Sequence, residues 1–195
     1  MKSRATAVFA LSFTGAVLYA GPTKAPSANS TMTAAALKFQ APDPGDCPVN
    51  SSRQEMGPCE KRMLEMMNAA RSDPVNDAET GGRARPLKWD PRLAKAALAH
   101  SQDMAARRYF DHIDVSGQSP VERIYQAGVQ WLSLGENIAK GPSVASAEKN
   151  FMSEPRFQLN HRANILSPKF NCAGIGIARG PDGLLYITQD FAQEP

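Results

Sequence analysis

Apolar residues recur every three or four positions in the stretch that follows Gly57. This spacing predicts a helix from Pro58 with one buried face. Asp73-Pro74 ends the pattern, because proline pushes the residue before it out of the helical region. The inner face of this first helix would consist of Cys59, Met63, Met67 and Ala70. The methionines are therefore interpreted as core residues and not as ligands.

A second helix is predicted to begin at Asp90-Pro91. Asp90 supplies an N-cap carboxylate, and Pro91 stands at the first helical position, where a missing N–H costs nothing. The residues at helical spacing on its inner face are Leu93, Ala97, His100 and Met104. Because His100 lies on an apolar face, it is interpreted as a core histidine with satisfied hydrogen bonds.

Turn and cap signals divide the middle of the chain into shorter elements. Ser119-Pro120-Val121-Glu122 has the form of a capping box and predicts a short helix that runs to about Gly128. The segment from Val129 to Ile138 is predicted to be extended. Ser143 then caps another helix, whose apolar stripe consists of Val144, Ala147 and Phe151.

In the C-terminal part of the chain, the residue pattern alternates with a period of two, as in β-strands. Residues 173–178 and 184–191 flank Gly180-Pro181-Asp182-Gly183, which is typical of a hairpin turn. Helices followed by an antiparallel hairpin predict an α+β layered domain.

The N-terminal quarter differs from the rest. Lys2 and Arg4 precede an uncharged run that ends at Ala20, which predicts a signal peptide over 1–20 and an exported protein, secreted or in the cell envelope. Leu18 is larger than the small residue expected three positions before the cut, so an N-terminal membrane anchor remains an alternative. Residues 21–57 are rich in Pro, Ser and Thr and predict a linker, and 58–195 predict one domain.

Net charge and cysteine content narrow the function classes. Loss of Lys2 and Arg4 with the leader lowers the formal charge from +3 to +1, so the mature chain lacks the basic excess that nucleic-acid binding needs.

The sequence contains three cysteines. We expect Cys47 and Cys59 to form a local disulfide, and Cys172, in an apolar strand, to be a buried free thiol; an intermolecular disulfide is its alternative.

Candidate chemistry is concentrated where ionisable residues interrupt apolar segments, as in Gly135-Glu136-Asn137-Ile138-Ala139 and His161-Arg162-Ala163-Asn164-Ile165-Leu166. Glu136 and His161 could act as acid and base or as metal ligands. His112 and Glu154 are further candidates of the same residue types. Each candidate could also have a purely structural role: His112 could end a helix, Glu136 could accept hydrogen bonds from backbone N–H groups, and Glu154 could be a solvated surface charge.

Several motifs in a fixed order resemble a bacterial CAP domain of the SCP-like extracellular type. This superfamily includes cysteine-rich secretory proteins, antigen five and pathogenesis-related proteins. The resemblance covers roughly residues 58–191, and the motifs that carry it are Leu87-Lys88-Trp89-Asp90, Tyr109-Phe110-Asp111-His112, the two segments around Glu136 and His161, and Tyr186-Ile187-Thr188-Gln189-Asp190-Phe191. It implies an α-β-α sandwich with a small antiparallel sheet between the helices.

The resemblance also implies a cleft with two histidines and two glutamates, which fall on His112, Glu136, Glu154 and His161. Such a set would bind a divalent cation, zinc or similar, and bind it weakly because thiolate ligands are absent. Residues 155–160 separate Glu154 from His161, which resembles an insertion of about four residues relative to the family, and Asn160 replaces the glycine often found before the histidine. The resemblance therefore leaves the geometry of the site open at this point.

Three function classes follow from these expectations. The first is a binding module that holds a small apolar ligand, a lipid or a peptide. The second is a metal-dependent hydrolase or peptidase with Glu136 and His161 as candidate catalytic residues. The third is a structural or interaction protein of the cell envelope, tethered by the linker. No Ser or Cys nucleophile has a motif of its own in the sequence, so binding ranks ahead of catalysis.

Overall fold

The sheet has five strands. The computed structural model of the chain describes residues 17–20 and 56–195. In these residues the strands lie in the order β1-β3-β5-β4-β2, and all neighbours are antiparallel except β2 and β4, which are parallel. The strands are β1 (Val17–Ala20), β2 (Lys88–Trp89), β3 (Ser133–Gly141), β4 (Cys172–Arg179) and β5 (Leu185–Gln193).

Six α-helices and one 3₁₀ turn surround this sheet in the described part of the chain. They are α1 (Pro58–Ser72), the 3₁₀ turn Pro74–Asn76, α2 (Asp77–Thr80), α3 (Pro91–Arg107), α4 (Pro120–Gln126), α5 (Val144–Met152) and α6 (His161–Leu166). The predicted caps are present. Asp90 Oδ1 accepts hydrogen bonds from the backbone N–H of Arg92 and Leu93, and Ser119 and Glu122 form the capping box of α4.

The helices form two layers, one on each face of the sheet. Helices α1, α5 and α6 bury Met63, Phe151 and Ile165 on one face. Helices α3 and α4 bury Leu93 and Ile124 on the other. The predicted α-β-α sandwich is therefore confirmed.

Two glycines of β4 allow α3 to pack directly on the sheet. A Cβ atom at Gly174 would lie 2.0 Å from the backbone nitrogen of Ala94, and one at Gly176 would lie 2.1 Å from that of Leu98. Any side chain at these positions would therefore push the helix away. The alternation of residues 173–178 thus places glycines where the helix backbone makes its closest approach.

The structure differs from the sequence predictions in several elements. Strand β3 begins at Ser133, not at Val129, and the 3₁₀ turn, α2 and α6 were not predicted. These helical segments have six residues or fewer, too short for a helical period to be recognised. Residues 17–20, within the predicted leader, form β1 on the outer edge of β3; residues 1–16 and 21–55 lie outside the described residues.

The described residues bear on one of the cysteine predictions. Cys172 is buried and free, as expected, which excludes a bond between it and Cys59. Cys59 is fully buried on the inner face of α1. Cys47 lies outside the described residues, so the Cys47–Cys59 disulfide stays a prediction.

Candidate functional site

His112 and Glu136 form the first histidine–carboxylate pair of the candidate site. His112 lies in the loop after α3, and Glu136 is on β3, on the same face as Leu134 and Ile138. The His112 Nδ1 atom is 2.6 Å from Glu136 Oε1, and the Glu136 side chain is completely buried. Because a carboxylate can only accept here, the proton between the two groups lies on His112 Nδ1, which donates to Glu136.

Arg123 of α4 completes this first pair. Its Nη2 donates to Glu136 Oε2 at 2.7 Å, and its Nη1 donates to the carbonyl oxygen of His112 at 3.0 Å. Burial opposes ionisation of Glu136, but the hydrogen bond from His112 and the positive charge of Arg123 outweigh burial. The pKa of Glu136 is therefore below its ordinary value. Both of its oxygens accept hydrogen bonds from side chains, one from His112 and one from Arg123.

Glu154 and His161 form the second pair. His161 Nδ1 is 2.5 Å from Glu154 Oε1, and the backbone N–H of His161 donates to Glu154 Oε2 at 2.8 Å. The imidazole also stacks on Phe151, with 4.7 Å between ring centroids. The 155–160 insertion therefore leaves Glu154 and His161 in direct contact. Asn160, in place of the usual glycine, caps α6 by accepting from the N–H of Ala163.

Both pairs are fixed to the same short stretch of β3. Asn137 Nδ2 donates to the carbonyl oxygen of His161 at 3.1 Å, and Asn164 Nδ2 donates to that of Glu136 at 3.3 Å. Asn164 also donates to Asn137 Oδ1 at 2.9 Å. The two asparagines thus attach α6, which carries His161, to the strand that carries Glu136.

The four residues are arranged as two histidine–carboxylate pairs, not as one compact set of ligands. In the described part of the chain, one group of three such ligand atoms lies within 4.8 Å of one another, and it consists of Asp90, Cys172 and Glu194. The four predicted residues do not form such a group. Their geometry instead places each carboxylate on Nδ1 of its histidine, where it orients the imidazole.

The group of Asp90, Cys172 and Glu194 is better described as an ion-pair network. Arg92 Nη2 contacts the carboxylates of both Asp90 and Glu194. Burial, aided by the nearby Glu194 and Asp90, raises the pKa of the Cys172 thiol to about 12. The thiolate that a metal needs is therefore disfavoured at neutral pH.

Two buried acids near the pairs were not identified from the sequence. Asp190 on β5 is paired in register with Glu136, and burial together with the Glu136 charge raises its pKa well above the ordinary value. Burial also raises the pKa of Glu148 on α5 to about 8. Gln189 Nε2 donates to Glu148 at 3.1 Å, and Gln189 Oε1 accepts from Asn137, so Glu148 is linked to the second pair. The sequence signal that could have identified Asp190 and Glu148 is an acidic residue at a strand or helix position whose side chain is expected to face the core.

His100 is buried and hydrogen-bonded, as the helical pattern predicts. Its Nε2 lies 2.9 Å from the carbonyl oxygen of Asp111 and donates to it. Burial lowers its pKa, which favours the neutral imidazole. His100 and Arg123 also line a cleft of about 400 Å³ between α3 and α4. His100 is thus a packed residue beside the first pair, with a different tautomer from His112.

Known proteins share this sequence pattern. The chain is 33% identical over 144 residues to YkwD of Bacillus subtilis (strain 168), and the match covers 73% of this chain and 50% of YkwD. It is 31% identical to the membrane protein YlbC of the same organism, covering 68% of this chain and 34% of YlbC. The chain thus spans half or less of these relatives.

Solved structures share the fold. An extracellular protein containing an SCP domain from Bacillus anthracis matches with a TM-score of 0.55 and 25% identity, over 69% of this chain and 40% of that one. An outer surface protein of Borrelia burgdorferi matches with a TM-score of 0.56 at 16% identity, over 69% of this chain and 92% of that one, which shows the fold alone.

A family model covers most of the domain. The model described as "CAP: Cysteine-rich secretory protein family" matches residues 64–191, more than half of the chain. These residues include all four members of the two histidine–carboxylate pairs. The motif resemblance noted in the sequence is thereby confirmed, and the chain belongs to the cysteine-rich secretory protein (CAP) family.

Proposed function

We propose that this chain is an exported CAP-domain binding protein that holds a divalent cation weakly through Nε2 of His112 and of His161. The observation that carries the proposal is the shared geometry of the two imidazoles, each with Nδ1 on a carboxylate at 2.5 or 2.6 Å. A carboxylate on one ring nitrogen fixes the tautomer and raises the basicity of the other. Glu136 and Glu154 are then positioning residues, and the histidines are the ligands.

The chemistry of the donor set fits zinc or a similar borderline cation. Imidazole nitrogen suits such ions, and two protein ligands leave coordination positions open to water or to a bound molecule. Weak and exchangeable binding follows, because structural zinc sites use four protein ligands, often thiolates.

Zinc titration by calorimetry is the first test. We expect the wild type to bind zinc and the double variant His112→Ala/His161→Ala to lose this binding. His100→Ala is the matched control, since the sequence has three histidines and His100 is bonded to a backbone carbonyl, not to a carboxylate. His100→Ala should bind zinc as the wild type does, at lower stability. Equal zinc binding by the wild type and the double variant would refute the proposal.

Hydrolysis ranks behind binding for a structural reason. A general base needs a carboxylate oxygen available to accept a proton from water. Both oxygens of Glu136 are held by His112 and Arg123, and both oxygens of Glu154 accept hydrogen bonds from His161. Metal-dependent peptide cleavage by the wild type that His112→Ala/His161→Ala lacks would make the peptidase the better description.

The second ligand of this binding module would be a small apolar molecule, a lipid or a peptide beside the cation. Solvent extraction of the purified protein followed by mass spectrometry tests this, and a recovered lipid or peptide supports it. If neither zinc nor an organic ligand is found, the chain is better described as a cell-envelope structural or interaction protein.

Export is part of the same proposal. One structural neighbour, at 25% identity, is an extracellular protein, which supports a place outside the cytoplasm. Within the described residues, the helices are too short or too polar to cross a bilayer. Mass spectrometry of the secreted protein should find a first residue near Gly21. Recovery of an intact N-terminus on a membrane-bound product would indicate an anchor.

A further inference from the structure

The insertion between Glu154 and His161, residues 155–160, is a fixed loop. Arg156 Nε donates to Glu79 Oε1 and its Nη2 donates to the carbonyl oxygen of Val75, both at 2.7 Å. Asn160 Nδ2 closes the loop by donating to the carbonyl oxygen of Pro155 at 2.8 Å. Phe157 has a φ of 59°, in the left-handed region that aromatic residues rarely adopt. The loop is therefore held in one conformation from both ends.

This fixed loop displays two large apolar side chains to solvent. Phe157 is 74% exposed and Leu159 is 82% exposed. Single exposed apolar residues are ordinary on protein surfaces, whereas contiguous apolar patches mark interaction surfaces. Here the two side chains stand two residues apart on a loop that is anchored by polar contacts. Phe157 and Leu159 thus form an apolar tip that is exposed to solvent and is not packed against the domain.

The apolar tip lies beside a cleft that is lined mainly by apolar residues and has basic residues at its edge. Phe157 and Leu159 line a cleft of about 300 Å³ with Ala163, Leu166 and Pro168, and the exposed Lys169 lies on the same cleft. The guanidinium of Arg156 lies 5.8 Å from the centroid of the Phe157 ring. The one acidic residue on this cleft, Glu79, is bridged by Arg156 and Arg162. Within the described residues, Lys169 forms no salt bridge.

We propose that the 155–160 loop and Lys169 form a docking surface for an anionic lipid bilayer. Phe157 and Leu159 would enter the boundary between headgroups and acyl chains, while Lys169 contacts the lipid phosphates and Arg156 neutralises Glu79 beside them. Apolar side chains beside basic ones are the combination that binds such interfaces, since burial of apolar area and attraction to anionic lipids add together. A purely apolar protein partner would leave the basic rim unused. The surface lies outside the histidine–carboxylate pairs and does not depend on cation binding.

Vesicle co-sedimentation of the exported protein, purified from culture medium, tests this surface. The probes are vesicles of phosphatidylcholine alone and of phosphatidylcholine mixed with phosphatidylglycerol in equal parts. We expect binding to the mixed vesicles that weakens at high salt. The double variant Phe157→Ser/Leu159→Ser should lose about tenfold or more of the affinity, because two apolar side chains no longer leave water. Lys169→Glu should weaken binding to the mixed vesicles alone.

Tyr125→Ser is the matched control, because Tyr125 is also 74% exposed but lies on α4. It should bind vesicles as the wild type does. The proposal is overturned if the wild type binds neither vesicle, if the double variant binds like the wild type, or if Tyr125→Ser loses as much as the double variant. A dimer in solution that the double variant abolishes would also overturn it, in favour of a protein interface. Zinc titration of the double variant should match the wild type, which separates this test from that of cation binding.

Discussion

The two histidine–carboxylate pairs share one chemistry in two different settings. In the first pair, Glu136 is entirely buried on a strand and bonded to the cation of Arg123. In the second, Glu154 keeps 19% of its side chain exposed and is bonded to the backbone N–H of His161. The same imidazole tautomer is therefore reached once through a buried charge network and once through the N-terminus of a short helix.

This difference separates the two carboxylates by how strongly each one supports the fold. A buried charge network is costly to disrupt, because removal of one partner leaves the other charge in the protein interior. A partly exposed carboxylate is easily replaced by water. Variants of Glu136 should therefore change stability strongly, whereas variants of Glu154 should leave the protein folded, so that their effect on cation affinity can be measured.

The largest expected effect is that of Glu136→Ala on stability. This change leaves Arg123 buried without its counter-charge and should lower the free energy of unfolding by about 3–5 kcal/mol. Glu154→Ala, the matched change in the second pair, should cost about 2 kcal/mol, since it removes two hydrogen bonds worth about 1 kcal/mol each. Urea denaturation of both variants measures the contrast. Equal losses would show that the two settings do not differ in the way described.

The next effect concerns the buried acid behind the second pair and depends on pH. Glu148 has a pKa of about 8 in the folded protein because it is buried, and an ordinary lower pKa when unfolded. The unfolded chain therefore releases this proton first as pH rises, so stability falls from about pH 4.5 to about pH 8. Glu148→Gln should remove this penalty, which we expect to be a few kcal/mol at about pH 8.

Denaturation of Glu148→Gln at two pH values tests this sign. The variant should be more stable than the wild type at about pH 8 and close to it at about pH 5, since the wild-type acid is protonated there in the folded state. An exposed carboxylate that is changed in the same way, Glu65→Gln, is the control and should show no such dependence. A constant difference at both pH values would contradict the assignment of Glu148.

Elements with local signals were predictable from the sequence. Asp90, Ser119 and Glu122 cap helices by contacts that span two or three residues, and the Gly180 to Gly183 turn connects two strands that alternate in register. These contacts follow from neighbouring residue types alone. The same holds for His100, whose place on the inner face of α3 follows from helical spacing.

The partners within the site could not be predicted in this way. Arg123 reaches Glu136 from a different helix, and Asp190 meets Glu136 through the register of β3 and β5. Such contacts depend on how distant segments pack. The family resemblance identified the two histidines and two glutamates but not their pairing. The longer connection between Glu154 and His161 left the geometry of this pair open, whereas the structure joins the two side chains directly.

A smaller effect is expected on cation affinity when the second pair is weakened without being removed. Glu154→Gln keeps the shape of the side chain but loses the charge that polarises His161. Zinc affinity should fall by about 10–100-fold, the usual cost of losing an outer partner of a ligand histidine. Calorimetry measures the change, with Glu65→Gln as the control. Unchanged affinity would mean that Glu154 does not act through His161.

The smallest effect concerns the loop that joins the members of the second pair. Phe157→Asn should raise stability by up to about 1 kcal/mol, because asparagine tolerates the left-handed conformation better and the exposed ring packs against little. Leu159→Asn, where φ is not positive, should bring no gain. Thermal denaturation compares the two variants. A loss of zinc binding in Phe157→Asn would show that the loop conformation positions the pair.

The central claim is tested most directly by ¹⁵N NMR of the imidazole side chains during a zinc titration at mildly alkaline pH. In the zinc-free protein, His112 and His161 should carry the proton on Nδ1, whereas His100 should carry it on Nε2, where it donates to Asp111. Zinc should then shift the Nε2 resonances of His112 and His161 and leave those of His100 unchanged. Zinc ligation through Nδ1, or a response of His100 alone, would contradict the account.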